Sequence, residues 1–182
     1  MRRAVVSSWV LATAAWVAVA QSPHVSYAAI RAMEKSFDQR VMTLGTDSPF
    51  DLLGNTRGVY LGGYGAVFTT EVNLLVTNNV SPFLQTIPKE YVAKVHAQKL
   101  QRVPLLKRSM QEALIATAAS MDNVPPGENV VLGVTLFYYN WENTGGLPAQ
   151  IVMQAQRQKL LDVQLGRASR ASLDSVIRVQ EL

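Results

Sequence analysis

Thr56-Arg57-Gly58-Val59-Tyr60-Leu61-Gly62-Gly63-Tyr64-Gly65-Ala66-Val67-Phe68, continuing through Thr69-Thr70-Glu71-Val72-Asn73-Leu74-Leu75-Val76, reads as a β-hairpin with a long second strand. Two β-rich runs meet at a Gly-Gly pair, and glycine reaches the positive φ that a tight two-residue hairpin turn demands. With Gly62 and Gly63 as the turn, Leu61 faces Tyr64, Tyr60 faces Gly65, Val59 faces Ala66 and Arg57 faces Phe68, because antiparallel partners sum to a constant. This register predicts a buried face of Val59, Leu61, Tyr64, Ala66, Phe68, Val72, Leu74 and Val76. It leaves Gly58, Tyr60, Gly65, Val67, Thr69, Glu71 and Asn73 for water, a partner or a thin second layer.

On the N-terminal side of the hairpin, residues 45–56 form a loop rich in turn-forming residues around an apolar plug of Phe50, Leu52 and Leu53. Before it, Ile30, Met33, Phe37, Val41 and Leu44 recur at three- and four-residue intervals, one stripe of a helix spanning Ser22 to Leu44. Ser22-Pro23 starts this helix and Gly45 ends it. Arg31, Glu34, Lys35 and Asp38 fall largely on its outer side, where a charge cluster reads as a solvated face.

On the C-terminal side, Thr77 to Pro82 breaks the chain and a helical region follows from Pro88 to about Met121. Pro104 divides it into a kinked helix or two consecutive helices, since proline lacks the N–H and clashes with the preceding turn. Val92, Val95, Lys99 and Val103 share the first stripe; Leu106, Met110, Ala113, Leu114 and Thr117 share the second. Lys89, Lys94, Lys99, Arg102, Lys107 and Arg108 make this the most basic segment, read as a solvated outer face in preference to an anion site. After the loop from Asp122 to Glu128, Asn129 to Tyr139 is apolar on both faces, as in a central strand covered on two sides. Ala149 onward alternates as a further strand, Arg157 to Val163 reads as a short helix, and Ser175 to Leu182 adds an edge strand.

The order predicts an α+β domain: an antiparallel sheet of four or five strands with an N-terminal helix and a long kinked helix packed on it. A parallel Rossmann-like sheet is the alternative, and two of the connections are too short for it. The chain has 182 residues, 48% hydrophobic and 16% charged, enough for one domain with a substantial core.

Arg2 and Arg3, an apolar run from Ala4 to Val17 and the triplet Ala18-Val19-Ala20 have the order of a secretory signal peptide, with cleavage expected after Ala20. The expected arrangement is a signal peptide over 1–20 and a single domain over 21–182, exported to the periplasm or beyond. An uncleaved anchor is the alternative; processing leaves no membrane span. The paired arginines leave open whether export is general or twin-arginine. Losing Arg2 and Arg3 lowers the formal net charge from +4 to +2, too little for a dedicated nucleic-acid face. With no cysteine there are no disulfides, no thiolate metal site and no lipoprotein attachment.

Catalytic groups are sparse. His24 and His96 are the two histidines; neither has metal-site company, and no serine sits in a nucleophile elbow. No cofactor or metal is expected. The glycines around Gly58 to Gly65 lead into a strand, whereas a phosphate loop leads into a helix. Glu71 and Glu142 form a glycosidase-like carboxylate pair only if a cleft brings them face to face. Tyr60, Tyr64 and Trp141 are amphipathic rings at strand ends and turns, suited to partner contact or to covering the sheet. Arg57 either closes the hairpin against an acid or contacts an anion. The candidate binding residues are therefore Arg57, Tyr60, Tyr64, Glu71, Trp141 and Glu142.

The T-R-G-x-Y-x-x-G-Y-G-x-x-F run, together with Trp141-Glu142-Asn143-Thr144-Gly145-Gly146-Leu147-Pro148 and the segment to Gln154, resembles a family of uncharacterised bacterial exported proteins. The resemblance covers most of the chain after the leader and implies no particular activity, ligand or partner. The leading expectation is a non-catalytic interaction or assembly module, binding an envelope protein or itself. The alternatives are a small-molecule carrier or sensor, with a pocket between sheet and kinked helix, and a hydrolase using Glu71, Glu142 or His96.

Overall fold

The computed structural model describes residues 25–44, 49–77 and 87–182. The expected leader and its expected cleavage position, Ser22-Pro23, His24, Gly45 and the break at 78–82 lie outside the described residues. In chain order the elements are α1 (Tyr27–Thr43), β1 (Asp51–Leu52), β2 (Arg57–Leu61), β3 (Gly65–Asn73), α2 (Lys89–Ser120), β4 (Asn129–Leu136), β5 (Gln150–Gln156), α3 (Arg157–Gln164), α4 (Leu173–Val176) and β6 (Arg178–Glu181).

The described strands form one six-stranded mixed sheet in the order β1-β3-β4-β5-β6, with β2 also paired to β3. Two differences from the sequence expectation have simple causes. The apolar plug before the hairpin supplies an extra strand, β1, whose Leu52 pairs with Val72. And β3 runs parallel to β4, from Ala66 opposite Val130 to Val72 opposite Leu136. The chain between those two strands includes α2, and a parallel pair needs a crossover of that kind. The other pairings are antiparallel.

The hairpin register also differs, by one residue. Leu61 pairs with Gly65, Tyr60 with Ala66, Gly58 with Phe68 and Arg57 with Thr69, so Tyr64 belongs to the turn. Its N–H donates to Leu61 O at 3.0 Å, while its carbonyl accepts from Asn129 N at 2.8 Å and Asn129 Nδ2 at 3.2 Å. The start of β4 thus holds Tyr64 in the turn. Gly65 has φ +135° and lies so close to Asn129 that a Cβ would sit 1.9 Å from its carbonyl oxygen.

A one-residue slip exchanges the two faces of a strand. On β3 the expected face is correct: Ala66, Phe68 and Val72 are buried. On β2 it is reversed. Gly58 and Tyr60 face the core, while Val59, Leu61 and Tyr64 are 51%, 47% and 41% exposed. Val76, expected inside, is also exposed.

Gly58 is the residue that makes this packing possible. A Cβ there would lie 2.6 Å from the Phe68 ring and 2.7 Å from Ile30 Cγ2. Ile30 belongs to the α1 stripe, whose Ile30, Phe37 and Val41 are buried as their spacing predicts. Ser26 caps α1 by accepting from Ala29 N at 3.2 Å.

The acids of α1 are not a solvated cluster. Glu34 is buried, pairs with Arg31 at 3.0 Å and accepts from Gly58 N at 2.8 Å. Asp38 accepts from Thr56 N at 3.0 Å and from the Thr56 hydroxyl. One turn apart on the helix, the two carboxylates meet alternate backbone N–H groups along the outer edge of β2. That edge would otherwise offer unpaired donors to another strand.

A single helix runs through Pro104 for 32 residues, about 48 Å at the α-helical rise. Pro104 is exposed, while Val103 and Leu106 beside it are buried. Packing of both apolar stripes onto one sheet face therefore overrides the lost hydrogen bond. The core joins Phe37, Val41, Leu106, Met110, Leu114 and Leu160 from the helices to alternate residues of β3, β4 and β5. The described helices pack on one face of the sheet, and β4 is nonetheless buried on both faces along most of its length, with Thr135 its one exposed residue.

Replacing Gly58 by alanine is expected to cost about 1–3 kcal/mol, the scale of overpacking. Gly62→Ala, where a Cβ meets nothing within 4 Å, is the control and should change stability far less. Urea denaturation of both variants gives the comparison.

Candidate functional site

The candidate residues separate into two places. Arg57 and Glu71 lie on the helix-free face and share an open depression with Thr69 and Thr135. Tyr64 reaches over the same face, its hydroxyl 3.5 Å from Gln154 Oε1. Tyr60 points to the other side. Burial first and the Glu128 carboxylate second hold its hydroxyl above the usual tyrosine range. Glu128 also accepts from Gly63 N at 3.0 Å and so ties the hairpin tip to the loop before β4. Trp141 and Glu142 sit in the loop between β4 and β5, against α2.

The helix-free face is a continuous surface built by strand alternation. Val59 and Leu61 of β2 lead to Val67, Thr69 and Glu71 of β3, then to Val131, Gly133 and Thr135 of β4. Gln150, Val152 and Gln154 of β5 and Arg178 and Gln180 of β6 complete it. Val131 is buried yet lies outside the helix-side core. Charge on the face is slight and of both signs.

No family model, curated protein or solved structure matches this chain.

At the other site, Lys99 of α2 reaches under the β4–β5 loop. Its Nζ stands 2.6 Å from Glu142 Oε2, with side-chain exposures of 0% and 1%. The ammonium also donates to Phe137 O at 3.4 Å and lies 4.9 Å from the centre of the Tyr138 ring. Burial lowers the Lys99 pKa and the Glu142 partner opposes that shift. Tyr91, Tyr139 and Trp141 form a contiguous set of rings beside the pair, with Trp141 centred 5.8 Å from Tyr91 and 5.9 Å from Tyr139. His96 Nε2 contacts Gly145 O at 2.7 Å, so the one described histidine fastens the same loop to α2.

This arrangement brings Glu142 to a lysine and not to Glu71, which lies on the opposite face of the sheet. Trp141 Nε1 and Glu142 Oε1 are buried with no hydrogen-bond partner among the described residues. No group of three or more histidine, aspartate or glutamate side chains among the described residues is placed to hold a metal ion. The space between sheet and α2, where a carrier would keep its ligand, is filled by Leu106, Met110 and Leu114. The Lys99 partnership was missed from sequence, although a lysine on an apolar stripe between Val95 and Val103 signals a buried cation in need of an acid.

Arg157 plays the corresponding part at the end of α2. Its Nε and Nη1 donate to Ala118 O and Val124 O, both at 3.0 Å, and Nη2 reaches Asp122 at 3.3 Å. A cation suits the carbonyl-rich end of a helix.

Tyr138 donates to Pro148 O at 2.8 Å. Burial, with a smaller contribution from the Glu142 charge, pushes its pKa up to about 12 from the ordinary 10.0. Between those values the folded chain holds a proton that the unfolded chain has released. Stability from Tyr138 is therefore complete below pH 10 and is lost as pH rises towards 12. Tyr138→Phe should have a shallower decline over that window, measured by urea denaturation at stepped pH.

Proposed function

We propose that this chain is an exported, non-catalytic assembly module whose helix-free sheet face packs against a second copy of itself. The observation that carries the reading is the exposure of Val59, Leu61 and Tyr64 on a sheet face without helices. The leader pattern at the N-terminus and the resemblance to bacterial exported proteins support the exported setting.

A second copy is favoured by charge and by size. Arg57 and Glu71 lie together, so a two-fold pairing of like patches brings both signs into register with little net repulsion. Val and Leu meet Val and Leu, while glutamine side chains at the other edge carry both donors and acceptors. Five strands spaced by about 4.8 Å give a footprint on the order of 500 Å². That is smaller than the roughly 800 Å² per partner of a standard interface, and it fits a reversible dimer.

Analytical ultracentrifugation across a micromolar concentration series tests this. The expected result is a monomer–dimer equilibrium that Val59→Lys and Leu61→Lys each shift to monomer, with unchanged circular dichroism. A chain that stays monomeric throughout the series, or a dimer indifferent to both substitutions, overturns the proposal.

A further inference from the structure

Of the ion pairs among the described residues, Lys99–Glu142 alone has both side chains closed off from solvent. The carboxylate is poorly solvated by the protein. Oε2 meets the ammonium at 2.6 Å, and Oε1 meets no donor among the described residues. Burying two charges is costly unless further hydrogen bonds complete the site, and among the described residues none does so on the carboxylate side.

We propose that Lys99 and Glu142 condense to an intramolecular amide, a covalent staple between α2 and the β4–β5 loop. A proton first passes within the pair from the Lys99 ammonium to the Glu142 carboxylate, leaving a neutral amine beside a carboxylic acid. The amine lone pair attacks Glu142 Cδ and the C–N bond forms. The tetrahedral adduct passes a nitrogen proton to one of its oxygens, the C–O bond breaks and water leaves. Nothing is oxidised or reduced and no co-reactant is consumed.

Three features of the site favour this step. Nζ is held at contact distance from the carboxyl group, and fixed reactants of this kind reach effective concentrations of about 10⁵–10⁸ M. Burial lowers the proton affinity of Lys99, which makes the nucleophilic amine accessible. The product also suits its surroundings better than the ions do: an amide has one N–H, Phe137 O already lies 3.4 Å from Nζ to accept it, and no charge remains buried. The two residues stand 43 positions apart in a chain without cysteine. The amide would close that loop as a disulfide closes one elsewhere, restricting the unfolded chain.

The intact mass of the full-length chain's purified product under denaturing conditions tests the proposal, followed by peptide mapping. The expected mass is one water below that of the chain's sequence from its observed N-terminus, with a branched peptide joining Lys99 to Glu142. Lys99→Met and Glu142→Val should each restore the full mass. The wild-type mass decides by itself if either variant fails to fold. A full-mass wild-type chain whose Lys99 takes an amine-specific label after denaturation overturns the proposal, as does a water loss that maps to other residues.

Discussion

The contact of Gly58 with the Phe68 ring and Ile30 is the constraint on which the rest of the molecule depends. It admits no side chain on β2 at that point, so β2 must present Gly58 to the core and turn its neighbours Arg57 and Val59 outward. The α1 carboxylates reinforce this placement from the edge. Charge-assisted hydrogen bonds of the kind Glu34 and Asp38 make to Gly58 and Thr56 are individually worth about 1.5–3 kcal/mol. Their positions also match β2 in one register only. Edge protection, register and the orientation of α1 thus follow from the same few atoms.

The same economy governs two points along α2. Near its middle, Lys99 and His96 fix the aromatic loop after β4, and at its C-terminus Arg157 gathers the carbonyls of Ala118 and Val124. Both connections cross from the helix to segments flanking the central strands. They tie a long, proline-containing helix to one face of the sheet, and no described helix lies on the opposite face. That open face is a consequence of how the core is built, because the apolar stripes of the described helices all address one side.

Much of this architecture was legible in the residues. The stripe of Ile30, Phe37 and Val41, the run through β4 that is apolar on both faces, the alternation through β5, the short helix from Arg157 and the edge strand at the C-terminus all follow local pattern, which a sequence displays directly. What was not legible depends on contacts distant in the chain. Tyr64 joins the turn because Asn129 binds its carbonyl, and Glu34 is buried because Gly58 offers it an N–H. Lys99 looks like one more surface cation until Glu142 is brought beneath the loop. Of the candidate residues, Arg57, Tyr64 and Glu71 reach one face of the hairpin, and the two-residue turn that Gly62-Gly63 suggests would have put Tyr64 on the other. The parallel pairing of β3 with β4 escaped for a related reason: the short connections elsewhere in the chain argue for antiparallel neighbours, and only α2 permits the exception.

The outward placement of Val59 and Leu61 depends on the hairpin register, and backbone NMR measures that register directly. Cross-strand nuclear Overhauser contacts should connect Tyr60 with Ala66 and Gly58 with Phe68, the pairs of a three-residue turn. Contacts connecting Tyr60 with Gly65 and Arg57 with Phe68 would mean a two-residue turn at Gly62-Gly63, would return Val59 and Leu61 to the core and would contradict the assembly surface proposed from their exposure.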